Sequence, residues 1–159
     1  PPLVCLQMDE YRGDEAAQLL HMLNPVNHTR TPADVRRYKT EPYVLAGDVH
    51  ASAPNVGRGG WSWYTGSAGW MYRAGIESIL GLLRRGATFV IDPCIPSTWA
   101  GYEISWRCGT SRYDIVVTNP DRRCRGVSVA ELDGVAVNAC AIPLVDDGRI
   151  HQVRVVLGR

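Results

Sequence analysis

Between Gly57 and Arg73 the sequence reads GRGGWSWYTGSAGWMYR, which places five glycines, three tryptophans, two tyrosines and two arginines within 17 residues. Indole faces stack on the apolar faces of pyranose rings, and glycines let backbone amides approach hydroxyls or an anion. Both point to a carbohydrate. Thr65-Gly66-Ser67 falls where a helix is predicted to begin, so the Thr65 hydroxyl and the free N–H groups of the first turn would face an anion such as phosphate, which the helix dipole also favours. Arg58 offers a bidentate contact to the same anion. Trp61 and Trp63 share one face if the run is extended, which makes them candidates for a sugar-binding wall. Trp70, inside the helix, reads as core. The alternative is that the tryptophans are all core anchors and Thr65 or Ser67 is only an N-cap.

Upstream, Tyr38-Lys39-Thr40-Glu41-Pro42-Tyr43-Val44 is followed by Asp48 and His50. Glu41, Tyr43 and Asp48 are the polar groups a network of sugar hydroxyls would use, and the competing reading is a solvated loop. His21 is expected beside its helix stripe. His28, His50 and His151 have no metal-ligand spacing, so no metal site is expected. No GxSxG, Walker or dinucleotide-binding fingerprint occurs.

The elements that would position these groups fall into two regions. Asp14 is placed to cap a helix running through Leu23, with Ala16, Leu19, Leu20 and Leu23 at helical spacing and Asn24-Pro25 as its stop. From Pro25 to Gly60 the four prolines Pro25, Pro32, Pro42 and Pro54 favour an irregular path with short turns. A second helix is predicted from Ser67 to Arg85, in which Ile76, Ile79, Leu80 and Leu83 recur at helical spacing and Gly86 supplies the stop. Gly69, Gly75 and Gly81 lie inside it at a cost of about 1 kcal/mol each, which suggests close packing against another helix. After Gly86 the period changes. TFVID, YEISWRC, YDIVVTN, GVSVAEL, GVAVNA and HQVRVVL read as short antiparallel strands, with Asp133-Gly134 and Asp147-Gly148 as hairpin turns. The predicted fold class is α+β, divided into residues 1–86 and 87–159.

Composition narrows the partners. The 159 residues carry 17 Lys and Arg against 16 Asp and Glu, a net charge of +1, which provides no basic field for a nucleic acid backbone. The five cysteines Cys5, Cys94, Cys108, Cys124 and Cys140 are scattered, fit a reduced cytoplasmic setting, and are expected to pack in strands as small hydrophobes. No apolar run reaches the ~20 residues of a membrane helix, so this segment is expected to make no membrane contact. The beginning PPLVCLQMDEYR, without an initiator Met, suggests a fragment.

Three long stretches, NPVNHTRTPADVRRYKTEPYVLAGDV, GRGGWSWYTGSAGWMYR and FVIDPCIPSTWAGYEISWR, resemble in order the C-terminal part of glycoside hydrolase family 94, the inverting β-glucoside phosphorylases. Within the family they look most like the phosphorylase-like domains of the cyclic β-1,2-glucan synthase group. The resemblance runs from about Asp14 to Arg159, whereas PPLVCLQMDEYR looks unlike the family's helix at that place.

The resemblance implies the last helices of an (α/α)6 barrel followed by a small antiparallel β domain. It also implies cleavage of a β-glucosidic bond by inorganic phosphate as co-substrate, with no cofactor and with an Asp protonating the leaving oxygen. The family's phosphate-binding Thr-Gly maps onto Thr65 and Gly66. Its general acid Asp, a phosphate-binding Arg and a phosphate-binding His lie N-terminal to the matched segment, so no catalytic residue is expected in this chain and it should be inactive alone. Phosphorylases for cellobiose tend to carry Gln just after the EPYVxA segment. Gly47 and Asp48 stand there, which points toward β-1,2-glucan. The implied partners are a β-glucan oligosaccharide and the remainder of the barrel, within a parent protein associated with the inner membrane. The alternative is a non-catalytic glucan-binding or structural module.

Overall fold

The computed structural model describes residues 12–41, 44–62 and 65–158, without the side chain of Thr65. The fold is α+β, with the helices in the N-terminal half and most strands in the C-terminal half. Helix α1 (Gly13–Leu23) ends at Asn24, whose side chain accepts from the Val26 amide and starts a 3-10 turn, Pro25–His28. Asp14 is not its N-cap. That position is held by Arg12, whose side chain donates to Glu15 at 3.2 Å and makes no capping bond, and the Asp14 carboxylate instead accepts from the amide and hydroxyl of Ser97 at 2.7 and 3.0 Å. Ala16 is fully buried beneath α1, whereas Leu23 and His21 are exposed, so the buried stripe is shorter than its spacing suggests.

The proline-containing segment is more ordered than its composition implies. Thr31 and Asp34 form a reciprocal capping box at the start of helix α2 (Pro32–Tyr38), which satisfies two otherwise orphan backbone donors. Lys39, in the left-handed conformation, turns the chain away. Strands β1 (Asp48–Val49) and β2 (Gly59–Gly60) then pair as a short antiparallel ribbon.

Helix α3 (Thr65–Arg73) continues into a π-helical turn over Ala74–Ile79 and stops there. The helix predicted through Arg85 is therefore too long. Gly81 has φ +71°, and the Asp92 backbone lies where its Cβ would be, so Gly81 reverses the chain rather than packing inside a helix. Leu82–Arg85 becomes β3 and pairs with β4 (Thr88–Ile91), with Gly86 in the turn between them. An added Cβ on Gly69 or Gly75 would have no neighbour within 4 Å among the described residues, so the expected close helix contact is not found there.

β5 (Gly101–Cys108), β6 (Ser111–Thr118), β7 (Val127–Leu132), β8 (Val135–Ala136) and β10 (Ile150–Leu157) form a sheet of order β5-β6-β10-β7-β8, while β9 (Ile142–Pro143) pairs with β4. The sheet is mixed, because β10 runs parallel to β6 with Val153 opposite Ile115. Asp133-Gly134 does turn β7 into β8, but Asp147-Gly148 makes no hairpin. Its amides both donate to the Ser111 hydroxyl, at 2.8 and 3.0 Å, which fastens that turn to the start of β6.

Tyr113, Ile115 and Val117 of β6 and Val153, Val155 and Leu157 of β10 alternate inward, as period-two strands require. They meet Phe89, Ile91, Ile95 and Ile142, and Ala16, Ala74 and Ile79 join the same buried cluster. Phe89 contacts Trp106 and Tyr113 edge-on, each at a centroid distance of 5.4 Å. Among the described cysteines Cys94 is buried, Cys108 and Cys124 are half-buried and Cys140 is exposed, so packing inside strands holds only for Cys108.

Candidate functional site

The β1–β2 ribbon carries the first part of the site. Asp48 faces Gly60 across it, and an added Cβ on Gly60 would lie 2.5 Å from the Asp48 carboxylate. The His50 amide donates to the Arg58 carbonyl at 2.9 Å, and the Gly57 amide to the His50 carbonyl at 2.8 Å, which closes the intervening loop. Asp48 and Arg58 are both exposed. At the other end the Gly47 amide reaches the carbonyls of Gly60 and Trp61, at 3.1 and 3.2 Å.

That double contact bends the strand. Trp61 has φ +48°, so the extended run that would align it with Trp63 does not form at Trp61. The Trp61 ring is 72% exposed, while Trp63 and Tyr43 lie outside the described residues. Glu41 is half-buried in the preceding loop, and its carbonyl accepts from the Val44 amide.

Thr65 is the first described residue of α3, and the N–H groups of Thr65, Gly66 and Ser67 lie in the first turn of the described helix. Gly66 is exposed, and no atom among the described residues lies within 4 Å of an added Cβ. Packing among the described residues therefore does not account for glycine there. Glycine leaves the amide edge open to an approaching group. Trp70, read as core, is 53% exposed, and the Arg73 guanidinium lies 5.3 Å from its ring centre. The structure thus groups Asp48, Arg58 and Trp61 on one ribbon and sets Thr65 and Gly66 at the head of the next helix. It does not place Trp70 in the core.

The support of the ribbon carries no motif of its own in the sequence. Tyr38 is 4% exposed at the end of α2, and its ring stacks on His28 at 4.9 Å and 23°. His28 Nε2 lies 2.6 Å from the Met22 carbonyl of α1. An added Cβ on Gly59 would lie 2.6 Å from the Thr40 methyl and 3.2 Å from both Ala46 and the Tyr38 ring, and one on Gly57 would lie 2.9 Å from the Arg37 side chain. The usable sequence signal was the Thr31-Pro32-Ala33-Asp34 capping box, which marks the helix ending at Tyr38.

Beside Tyr72 a cleft of ≈ 270 Å³ is lined by Leu20 of α1, Pro25 of the 3-10 turn, Val44 and Leu45 ahead of the ribbon, and Ala68 and Met71 of α3. Among the described residues no group of three or more His, Cys, Asp or Glu side chains is placed to hold a metal ion, and no helix is long and apolar enough to cross a membrane.

Residues 7–81 match the family described as the glycosyl hydrolase 94 superfamily, catalytic domain. The match begins ahead of Asp14, so part of the stretch that looked foreign to the family falls inside it. Among curated proteins the chain is 45% identical over 111 residues to the cyclic beta-(1,2)-glucan synthase NdvB of Rhizobium meliloti (strain 1021), covering 70% of this chain and 4% of that protein. It is 37% identical over 153 residues to the N,N'-diacetylchitobiose phosphorylase of Vibrio proteolyticus, covering 92% of this chain and 18% of the relative. The 3-O-beta-D-glucopyranosyl-beta-D-glucuronide phosphorylase of Paenibacillus borealis is 33% identical over 149 residues, with 92% and 19% covered. The chain spans less than a fifth of the length of each.

Proposed function

We propose that this chain, whose residues 7–81 belong to the glycosyl hydrolase 94 superfamily, forms one wall of a phosphorylase-type site in which inorganic phosphate cleaves a β-1,2-glucosidic bond. The observation that carries the reading is the exposed Gly66, without a packing neighbour among the described residues, in the first described turn of α3, one residue after Thr65. A phosphate there would accept from the free amides of that turn and from the Thr65 hydroxyl, with the helix dipole and Arg58 offsetting its charge. Trp61, Glu41, Tyr43, Trp63 and Asp48 would face the sugar.

The β-1,2 linkage and a cyclic β-1,2-glucan synthase as parent protein are supported by the 45% identity to such a synthase and by Gly47-Asp48 after the EPYV segment. The general acid, a phosphate-binding Arg and a phosphate-binding His would come from the remainder of an (α/α)6 barrel, and this chain alone would turn nothing over. A role for the open faces of Gly69 and Gly75 follows: they would admit the neighbouring barrel helices. The parent would be associated with the inner membrane on its cytoplasmic side, and no cofactor is required.

Calorimetric titration of the chain with inorganic phosphate, and separately with β-1,2-linked glucose oligosaccharides, tests this. Phosphate binding that is weakened by Thr65→Val is the expected result. Sugar binding indifferent to phosphate would favour a glucan-binding module, and no heat with either ligand would favour a purely structural one.

A further inference from the structure

We infer that Tyr38 is a positioning residue for the proposed phosphate and sugar site, setting the ribbon that feeds α3 through its ring alone; the inference rests on the reading just given. Three contacts in series carry it. His28 holds to the end of α1 through the Met22 carbonyl, Tyr38 stacks on His28, and the edge of the Tyr38 ring closes the space above Gly59. Gly59 is itself buried, in β2, directly before Gly60 and Trp61, whose carbonyls receive the Gly47 amide.

The ribbon therefore rests on an aromatic floor tied back to α1, not on the main core. Tyr38 is absent from the buried cluster formed by Phe89, Tyr113 and their neighbours. This separation gives the inference its content. Taking away the ring lets β2 sink or tilt, which moves Arg58 and Trp61 together, while the sheet core keeps its packing. Displacements of about 1 Å in groups that hold a reacting anion cost up to about a hundredfold in related settings. A methyl group on Gly59 would clash with the Thr40 methyl at 2.6 Å and crowd the Tyr38 ring and Ala46 at 3.2 Å, so it too would shift β2 against the floor.

The test compares Tyr38→Phe, Tyr38→Leu and Gly59→Ala by phosphate calorimetry and by thermal melting of the 159-residue chain. Tyr38→Phe keeps the ring and should hold the phosphate affinity within about twofold, whereas Tyr38→Leu and Gly59→Ala should each lower it by about tenfold or more. The cooperative melt of the sheet core should persist in all three. Unchanged affinity in Tyr38→Leu overturns the inference, as does a loss of affinity only in step with loss of the melt. If the unsubstituted chain binds no phosphate, the reading of the site fails and the inference with it.

Discussion

His151 Nδ1 lies 2.8 Å from the Asp133 carboxylate, which joins the start of β10 to the β7–β8 turn. On its other side Nε2 meets Asp147 at 3.1 Å, and the ring stacks on Tyr113 at 4.8 Å. One buried imidazole thus ties two turns together. The hydrogen bond to Asp133 raises the His151 pKa, burial works against it, and Asp147 adds to the rise. The same bond holds Asp133 below the ordinary carboxylate value, and a backbone bond from Arg149 does so first for Asp147.

Stability should follow these shifts in two directions. The raised imidazole contributes fully below its ordinary value of 6.5, and that contribution is lost as pH rises through its folded value. The lowered Asp133 contributes fully above its ordinary value of 3.8 and loses this as pH falls through its folded value. Melts across pH should show greatest stability between those two ordinary values. His151→Asn should cost about 2 kcal/mol near pH 5 and flatten the decline above 6.5. An unchanged decline in that variant would remove His151 from the explanation.

Phe89 is fully buried with its ring edge-on to Trp106 and Tyr113. Phe89→Ala should cost about 3–5 kcal/mol, from lost transfer energy and the cavity left behind. In a domain stable by only about 5–15 kcal/mol, that should lower the denaturation midpoint sharply. Phe89→Leu should recover more than half of the loss.

At Gly81 the backbone is left-handed and the Asp92 backbone occupies the space of a Cβ. Gly81→Ala should therefore cost at least about 2 kcal/mol, or ~4–8 °C in melting temperature for a chain of this size. A variant that melts with the parent chain would contradict the reversal seen between the π-helical turn and β3.

Asp14 links α1 to Ser97 across the fold. Asp14→Ala should weaken α1 docking by about 1–2 kcal/mol. Hydrogen exchange should then accelerate in α1 while β6 and β10 stay protected, and uniform acceleration would show that α1 and the sheet open as one unit.

Some of this was legible in the sequence and some was not. The inward alternation of Val153, Val155 and Leu157 stands in the residues themselves, because a strand with one buried face has a period of two. β3 was not legible: Leu82 and Leu83 extend the helical spacing of Ile76 and Ile79, and only the pairing of Leu83 with Val90 beyond Gly81 decides against it. The parallel match of β10 to β6 joins residues far apart in sequence, and Asp147-Gly148 carries a hairpin signal that Ser111 overrides. The site divides in the same way. Glycine and tryptophan density marks Gly57–Arg73, whereas the floor under Gly59 is a matter of shape, and Tyr38 carries no local mark of it.

The central claim is that an anion is held at the head of α3, and amide NMR during titration with inorganic phosphate tests it most directly. Saturable shifts are expected in the amides of Thr65, Gly66 and Ser67, with a smaller response at Arg58, and those shifts should be lost in Thr65→Val. Shifts confined to the C-terminal sheet, or none at Gly66 at any phosphate concentration, would contradict it.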